Sequence, residues 1–436
     1  MAAHDVTGPG TAAGPVPAAA AGGSPGSSPH PRVFLHIGEP KTGTTFLQQV
    51  MWRNRSELAA QGVVLPGHHP QDHFRASQDL RGIQKLPSDP AGSWAGEWDI
   101  LARQAQQAAQ AAVISHELFA AADTEQAGRA VRSLQPAEVH VVITVRDIAT
   151  LLPAEWQETV KHRNSRGWED WLADVIDTES VDPDRRQWWF WRVHDTMAIL
   201  RLWAGQVPPE QVLVITVPQP GAPQELLWQR FAALIGADPD SVDLTRARPN
   251  ASLGLPEIEF LRRLNEVLPA EVPDWFYMWN VKEAVAHQTL AARPREGRLT
   301  LPASRDAWAK EHGDTLAAAL AGSGYDVIGD TSELIPQPAA GLAADPAAQP
   351  AGQVLDAAVD AAAALVVNQY HKAYPAARPQ RDPGARGLAG RVEATVASSP
   401  RLKRTVRELS SRSSAVRRLR ILAWRALERS RARERS

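Results

Sequence analysis

Gly38, Pro40, Lys41, Gly43, Thr44 and Thr45 follow an apolar run at 33–37 and precede a helical pattern. A helix start offers backbone N–H groups without intrahelical partners, and the positive end of the peptide dipoles lies there. Gly38 and Gly43 allow the backbone to turn and approach an anion closely. That combination suits a phosphate group. Gly38, Gly43 and Thr45 also fit the spacing of the G-x-x-x-x-G-K-[ST] nucleotide loop, but Thr44 stands where its lysine belongs, and the lysine comes earlier, at Lys41. Hydrolysis of ATP or GTP needs that lysine and Mg²⁺ on the terminal phosphates. The displaced lysine therefore points to another nucleotide chemistry.

The run Pro40-Lys-Thr-Gly-Thr-Thr-Phe46 resembles the PK[ST]GTT[WF] signature of sulfotransferases that use 3′-phosphoadenosine 5′-phosphosulfate as donor. The resemblance implies that Lys41 stabilises charge on the oxygen bridging sulfate and phosphate. It implies that Thr42, Gly43, Thr44 and Thr45 hold the 5′-phosphate, with Phe46 near the adenine. It also implies no metal, because a sulfuryl group carries less charge than a terminal phosphoryl. It extends over most of residues 32–334, with its specific motifs at 33–48 and 141–154.

Two further apolar runs end in chemical side chains. Val113-Ile-Ser-His116-Glu117 offers a histidine and a carboxylate side by side. Sulfuryl transfer to a hydroxyl needs a proton acceptor; neighbours at a strand end point in different directions, so one of the two is expected to face the acceptor, and His116, suited to proton transfer near neutral pH, is the expected base with Glu117 as the alternative. Val141-Val-Ile-Thr-Val-Arg146-Asp147 resembles the second motif of the same family, in which an arginine binds the 3′-phosphate. The family places a serine eight residues on, where this chain has Ala154. Arg248, with Arg246 nearby, falls where the family has a loop over the 3′-phosphate.

These residues need a scaffold that brings strand ends together. Apolar runs at 33–37, 112–116, 139–145 and 212–217 are too short for typical helices. Helical patterns separate them, near 44–60, 98–110, 124–134, 153–163, 187–206 and 223–236. The alternation predicts an α/β domain with a parallel sheet covered on both faces, with ligands at the carboxyl ends of its strands. With the loop, this implies a three-layer fold of the P-loop NTPase-like type over 32–334. Gly324-Tyr-Asp-Val-Ile-Gly-Asp330 reads as a structural closing segment. The aromatic segments around Trp156 and Trp188-Trp-Phe-Trp191 suit either an acceptor cleft or core. His68, His69 and His73 lack metal-ligand spacing and read as a surface loop.

Composition sets the outer limits. The 436 residues are 44% hydrophobic and contain no cysteine, which excludes disulfides and thiolate chemistry and fits a reducing cytoplasm. Residues 1–31, rich in Ala, Gly and Pro, read as disordered, with no signal-peptide pattern. Residues 335–353 read as a linker and 354–375 as a helix. No uninterrupted apolar stretch reaches a membrane span's length. Residues 401–436 hold 13 Lys+Arg against 3 Asp+Glu, whereas the rest holds 34 against 46. The chain as a whole is thus no nucleic-acid binder; only the basic tail, 376–436, could engage a polyanion. An amphipathic helix carrying Trp424 would suit the inner face of an anionic membrane, and a solvated end is the plainest alternative. Two other classes fit the loop: a P-loop phosphotransferase, and a non-catalytic protein that keeps the fold. The acceptor is unspecified; carbohydrate, lipid and small metabolite all fit.

Overall fold

A computed structural model describes residues 30–83, 94–178, 189–223, 225–247, 252–295, 297–337 and 345–374. Of the expected disordered N-terminus, 1–31, only His30 and Pro31 are among them, and the basic tail, 376–436, and Arg248 fall outside. Two units divide the chain, Met1–Leu365 and Val366–Ser436. Everything that follows on the site concerns the first.

Six strands form one sheet: β1 (Arg32–Gly38), β2 (Val63–Val64), β3 (Ala111–Ser115), β4 (Glu138–Val145), β5 (Val212–Thr216) and β6 (Asp326–Ile328). Their order is β2-β3-β1-β4-β5-β6 and every pairing is parallel. Buried apolar residues fill the four central strands, with β-branched ones dominating β4 and β5, as buried parallel strands require. The predicted α/β class with a parallel sheet is observed. Two strands were not anticipated. β2 is too short to carry a pattern, and β6, from the closing segment 324–330, is an edge strand with partly exposed residues.

Strand alternation divides the core. Val33, Leu35 and Ile37 of β1 face one side, with Ile114, Val141, Ile143 and Val214. They pack on α4 (Glu97–Gln106), α5 (Thr124–Leu134) and α9 (Thr196–Ala204), which supply Trp98, Leu134 and Trp203. Phe34 faces the other side with Val113, Val142 and Ile215, against α1 (Thr44–Arg53) and α10 (Leu226–Ile235). Each fully buried Leu, Ile or Phe contributes about 1.5–3 kcal/mol relative to exposure. Layering follows from the period-two pattern.

A third core has no sheet. It joins α6 (Ile148–Lys161), α7 (Trp168–Asp177), α8 (Trp189–His194), α11 (Leu255–Val267) and a π-helical stretch, Met278–His287, entered through α12 (Asp274–Tyr277). Trp156, Trp168, Trp171, Phe190 and Trp191 are buried there. Two of the indole N–H groups donate to backbone carbonyls, Trp156 to Arg166 and Trp191 to Val175. These aromatics are core; Trp188 and the side chain of Trp189 lie outside the described residues.

The helix expected over 44–60 breaks at Asn54, whose buried side-chain amide donates to the Val50 and Asp243 carbonyls. α2 (Arg55–Ala60) follows as a separate helix. The long C-terminal helix, α14, runs Ala351–Ala373, starting three residues before the expected position. Among the described residues it alone is long and apolar enough to cross a membrane by length and composition, with 17% of the relevant window buried. Between it and Leu334, the described part of the expected linker includes a 3₁₀ turn, Pro346–Ala348.

Candidate functional site

Strand order decides where the chemistry meets. The chain passes from β1 to β3 on one side and returns to β4 on the other, so β3, β1 and β4 are adjacent. Such a reversal opens a crevice beyond the carboxyl ends of the central strands. The 39–43 loop leaves β1 there, His116 and Glu117 follow β3, and Arg146 follows β4. Three segments distant in sequence thus share one end of the sheet.

The β1–α1 loop is held from within. Thr42 Oγ1 contacts the Glu39 carbonyl at 2.5 Å and Thr144 Oγ1 at 2.6 Å. Thr44 Oγ1 donates to the same carbonyl at 3.1 Å. Thr42 and Thr44 therefore turn their hydroxyls inward, and what they can offer a ligand is backbone. Thr45 is half-buried, and Phe46 packs partly against the α1–α10 core. Gly43 has φ 88°, and a Cβ there would lie 2.5 Å from Leu227 Cδ2. Gly38 has φ 124°, and a Cβ there would sit 3.0 Å from the Glu117 carbonyl oxygen. The two glycines let the loop pack against both flanking segments.

A polar ladder fixes the strand ends. His36 on β1 is fully buried, its Nδ1 2.8 Å from Ser115 Oγ on β3 and its Nε2 3.2 Å from Thr144 Oγ1 on β4. Burial, aided by the nearby His116, lowers its pKa to about 3. His73 of α3 (Pro70–Leu80) is also buried, accepting from the Ser115 N–H at 3.1 Å and facing the Pro66 carbonyl at 2.8 Å. The surface-loop reading of His68, His69 and His73 thus fails for His73, because its ring fills the space under β3. His69 instead caps α3, accepting from the Gln71 N–H.

The two candidate bases differ in their surroundings. His116 Nδ1 accepts the Leu118 N–H at 3.2 Å, which leaves the neutral ring's proton on Nε2. Burial lowers the His116 pKa, Glu117 opposes this and Arg81 adds to it. Glu117 Oε2 lies 4.0 Å from His116 Nδ1 and has no hydrogen-bond partner among the described residues.

Arg146 donates Nη1 to the Lys41 carbonyl at 3.3 Å, and its buried Nε has no partner among the described residues. Burial lowers its pKa; Asp147 opposes, and Arg298 adds to the lowering. Asp147 caps α6, accepting the Thr150 N–H at 2.8 Å, rather than bonding Arg146. Ala154 is half-buried on that helix. Near the expected Arg248 loop, Asp243 is tied to Asn54, which caps the end of α1, and Leu253 to Gln157 of α6; Arg246 ends a 3₁₀ turn, Leu244–Arg246.

Sequence reasoning missed Lys41's partner. Lys41 Nζ donates to Glu158 Oε2 at 2.9 Å. Burial disfavours the ammonium, yet Glu158, Glu155 and Glu117 raise its pKa above the ordinary value. Glu158 also meets Lys282 at 2.7 Å, His162 at 3.2 Å and Lys161 at 3.5 Å. Burial works against its charge, but His162 and the lysines hold its carboxyl far below the usual range. The segment Trp156–His162 carried no assigned chemistry in the sequence; Glu158 at one turn's spacing from Lys161 was the available signal.

Behind the loop, Glu39 is buried and accepts from Thr196 Oγ1 at 2.5 Å. His194 Nδ1 lies 3.6 Å from Glu39 and its Nε2 3.8 Å from Glu155, ion-pair rather than hydrogen-bond distances. Burial opposes a charge on His194, but the two carboxylates raise its pKa.

Among the described residues, no group of three or more His, Asp or Glu side chains is placed to hold a metal. No family model matches the chain, and neither does any curated protein or solved structure.

Proposed function

We propose that the chain is a P-loop-type sulfotransferase that takes its sulfuryl group from 3′-phosphoadenosine 5′-phosphosulfate. The observation that carries this reading is the adjacency of β3, β1 and β4, each followed by one of the motif residues Glu117, Lys41 and Arg146. Two unsatisfied polar atoms support it: the Arg146 Nε–H suits a phosphate oxygen, and Glu117 Oε2 suits an acceptor proton.

In this reading the α1 start and the backbone of 41–46 take the 5′-phosphate, and Arg146 takes the 3′-phosphate with Arg298 as a second cation. Arg248 keeps the role its position implies. The acceptor oxygen forms the new S–O bond as the S–O bond to the donor's bridging oxygen breaks. Lys41 neutralises charge on that oxygen, and the acceptor proton passes to Glu117. Glu117 is preferred to His116 because the His116 Nδ1 lone pair is engaged by Leu118.

Calorimetric titration with 3′,5′-phosphoadenosine, with and without Mg²⁺, tests the proposal. Stoichiometric, metal-independent binding that is lost in Lys41→Ala and Arg146→Ala is expected. Magnesium-dependent ATP binding with no response to this ligand would overturn it in favour of a phosphotransferase. Binding without sulfate transfer to any acceptor class would leave a non-catalytic protein.

A further inference from the structure

His194, at the end of α8, has a fully buried side chain and takes no part in the proposed transfer. Its ring lies between two carboxylates from different parts of the chain. Glu39 of the β1–α1 loop is 3.6 Å from Nδ1, and Glu155 of α6 is 3.8 Å from Nε2. A neutral imidazole has one N–H and would turn a lone pair towards one of these anions; only the imidazolium presents a proton to both. Both ring nitrogens and Glu155 Oε2 lack a hydrogen-bond partner among the described residues, so what the groups offer one another is charge.

The neighbours of the ring are neutral or engaged elsewhere. Phe190, on the same helix, places its ring centroid 4.7 Å from that of His194. Arg192 donates to the Ala121 carbonyl of the 3₁₀ turn after β3, and Asp195 caps α9 by accepting the Ala198 N–H at 3.0 Å. Thr196 donates to the other oxygen of Glu39. Beyond Glu155 the alternation of charge runs on into the loop. Glu155 and Glu158 stand one turn apart on α6, and Lys41, bonded to Glu158 at 2.9 Å, is also drawn by Glu155. Glu39 and Lys41, two residues apart, are thus both tied to α6, the first through His194 and the second directly. Against burial, Glu155 and Glu39 raise the His194 pKa; against burial, His194 and then Lys41 lower that of Glu155.

We propose that His194 is a positioning residue for the β1–α1 loop: its imidazolium neutralises Glu155, which leaves the Lys41 ammonium to be shared between Glu158 and a bound nucleotide. Without that charge, Glu155 holds Lys41 back and repels the phosphates of the nucleotide. The nucleotide part of this inference rests on the sulfotransferase reading; the control of Lys41 does not. Lys41 keeps 21% of its side chain exposed, so its reactivity reports on this control directly.

The test compares the full-length natural protein with His194→Gln, Glu155→Gln and the double variant. Calorimetry follows 3′,5′-phosphoadenosine, mass spectrometry follows acetylation of Lys41 by an N-hydroxysuccinimide ester, and thermal melting reports folding. At pH values near neutral, His194→Gln is expected to bind the nucleotide about tenfold more weakly and to acetylate Lys41 about tenfold more slowly. Adding Glu155→Gln should recover most of both losses, which a side chain that merely fills space would not allow. In the natural protein, affinity should fall about tenfold as pH rises from neutral and His194 loses its proton, and Glu155→Gln should abolish that fall. If His194→Gln does not fold, this pair of profiles decides. A level profile in the natural protein, unaltered Lys41 acetylation in folded His194→Gln, or a double variant as weak as the single one would overturn the proposal. If the natural protein does not bind 3′,5′-phosphoadenosine, the sulfotransferase reading falls by itself, and the acetylation pattern alone decides the role of His194.

Discussion

The Lys41 ammonium and the Glu158 carboxylate lie 2.9 Å apart, so the cation of the β1–α1 loop is neutralised by the last turn of α6. Glu158→Gln leaves Lys41, Lys161 and Lys282 crowded without a counter-charge. Breaking one side of a fully buried pair costs about 3–5 kcal/mol, and partial exposure here reduces that to about 2 kcal/mol. Urea unfolding in low salt should reveal the deficit, and added sulfate should shrink it by occupying the cluster. A deficit indifferent to sulfate would mean that Glu158 does not act by neutralising these lysines.

The base assignment separates two adjacent residues. Glu117→Gln should lower the turnover number by about 10²–10⁴-fold with 3′,5′-phosphoadenosine affinity preserved. His116→Gln should lose much less. The reverse order in single-turnover rates would return the role to His116.

Acid stability depends on buried neutral histidines. The folded-state pKa of His36 is lowered to about 3 and that of His73 to about 4, from 6.5. The unfolded chain takes up these protons first, so stability is full above pH 6.5 and falls as pH drops towards 3–4. Each such group contributes a slope of about 1.4 kcal/mol per pH unit at most. Denaturant melts from pH 7 to 4 should show this fall, and it should be shallower in His36→Gln.

The Glu39–His194–Glu155 network has the opposite sign on its histidine. A raised His194 pKa contributes stability that is complete below 6.5 and lost as pH rises through the folded value. The lowered Glu155 contributes above 4.5 and is lost as pH falls through its folded value. The window of full contribution therefore lies between pH 4.5 and 6.5. The stability difference between the natural protein and His194→Gln, measured from pH 5 to 9, should be largest at the acidic end. A difference that does not vary with pH would argue against a charged His194.

Gly43→Ala tests the loop backbone. At φ 88° a Cβ is strained, and it would meet Leu227 Cδ2 at 2.5 Å. A destabilisation of about 1–2 kcal/mol is expected, with a larger proportional loss of nucleotide affinity. Adding Leu227→Ala should relieve the contact and leave the strain, so stability recovers in part while affinity stays low.

The sequence alone determined the local pieces. Apolar runs mark β1, β3, β4 and β5, since fully buried parallel strands need apolar residues on both faces. The Gly38–Gly43 spacing marks a tight loop before a helix, and Arg146 and Glu117 stand at strand ends by simple counting. Local signals also misled. The pattern over 44–60 is continuous, yet Asn54 breaks the helix because its amide finds Asp243, 189 residues away. His73 looked like loop and is core, because only the folded chain lays its ring beneath Ser115.

Tertiary structure alone decided the partners. Lys41 and Glu158 are 117 residues apart, His36 and Thr144 are 108, and Glu39 and Thr196 are 157. A pattern of period two or 3.6 says which face a residue takes and nothing about the side chain it meets there. Sheet order sets that, by making β3, β1 and β4 neighbours and bringing their ends, with the end of α6, to one place. Charge and desolvation act through space over a few ångströms, so the state of each ionisable group was fixed only once the strands had found their order.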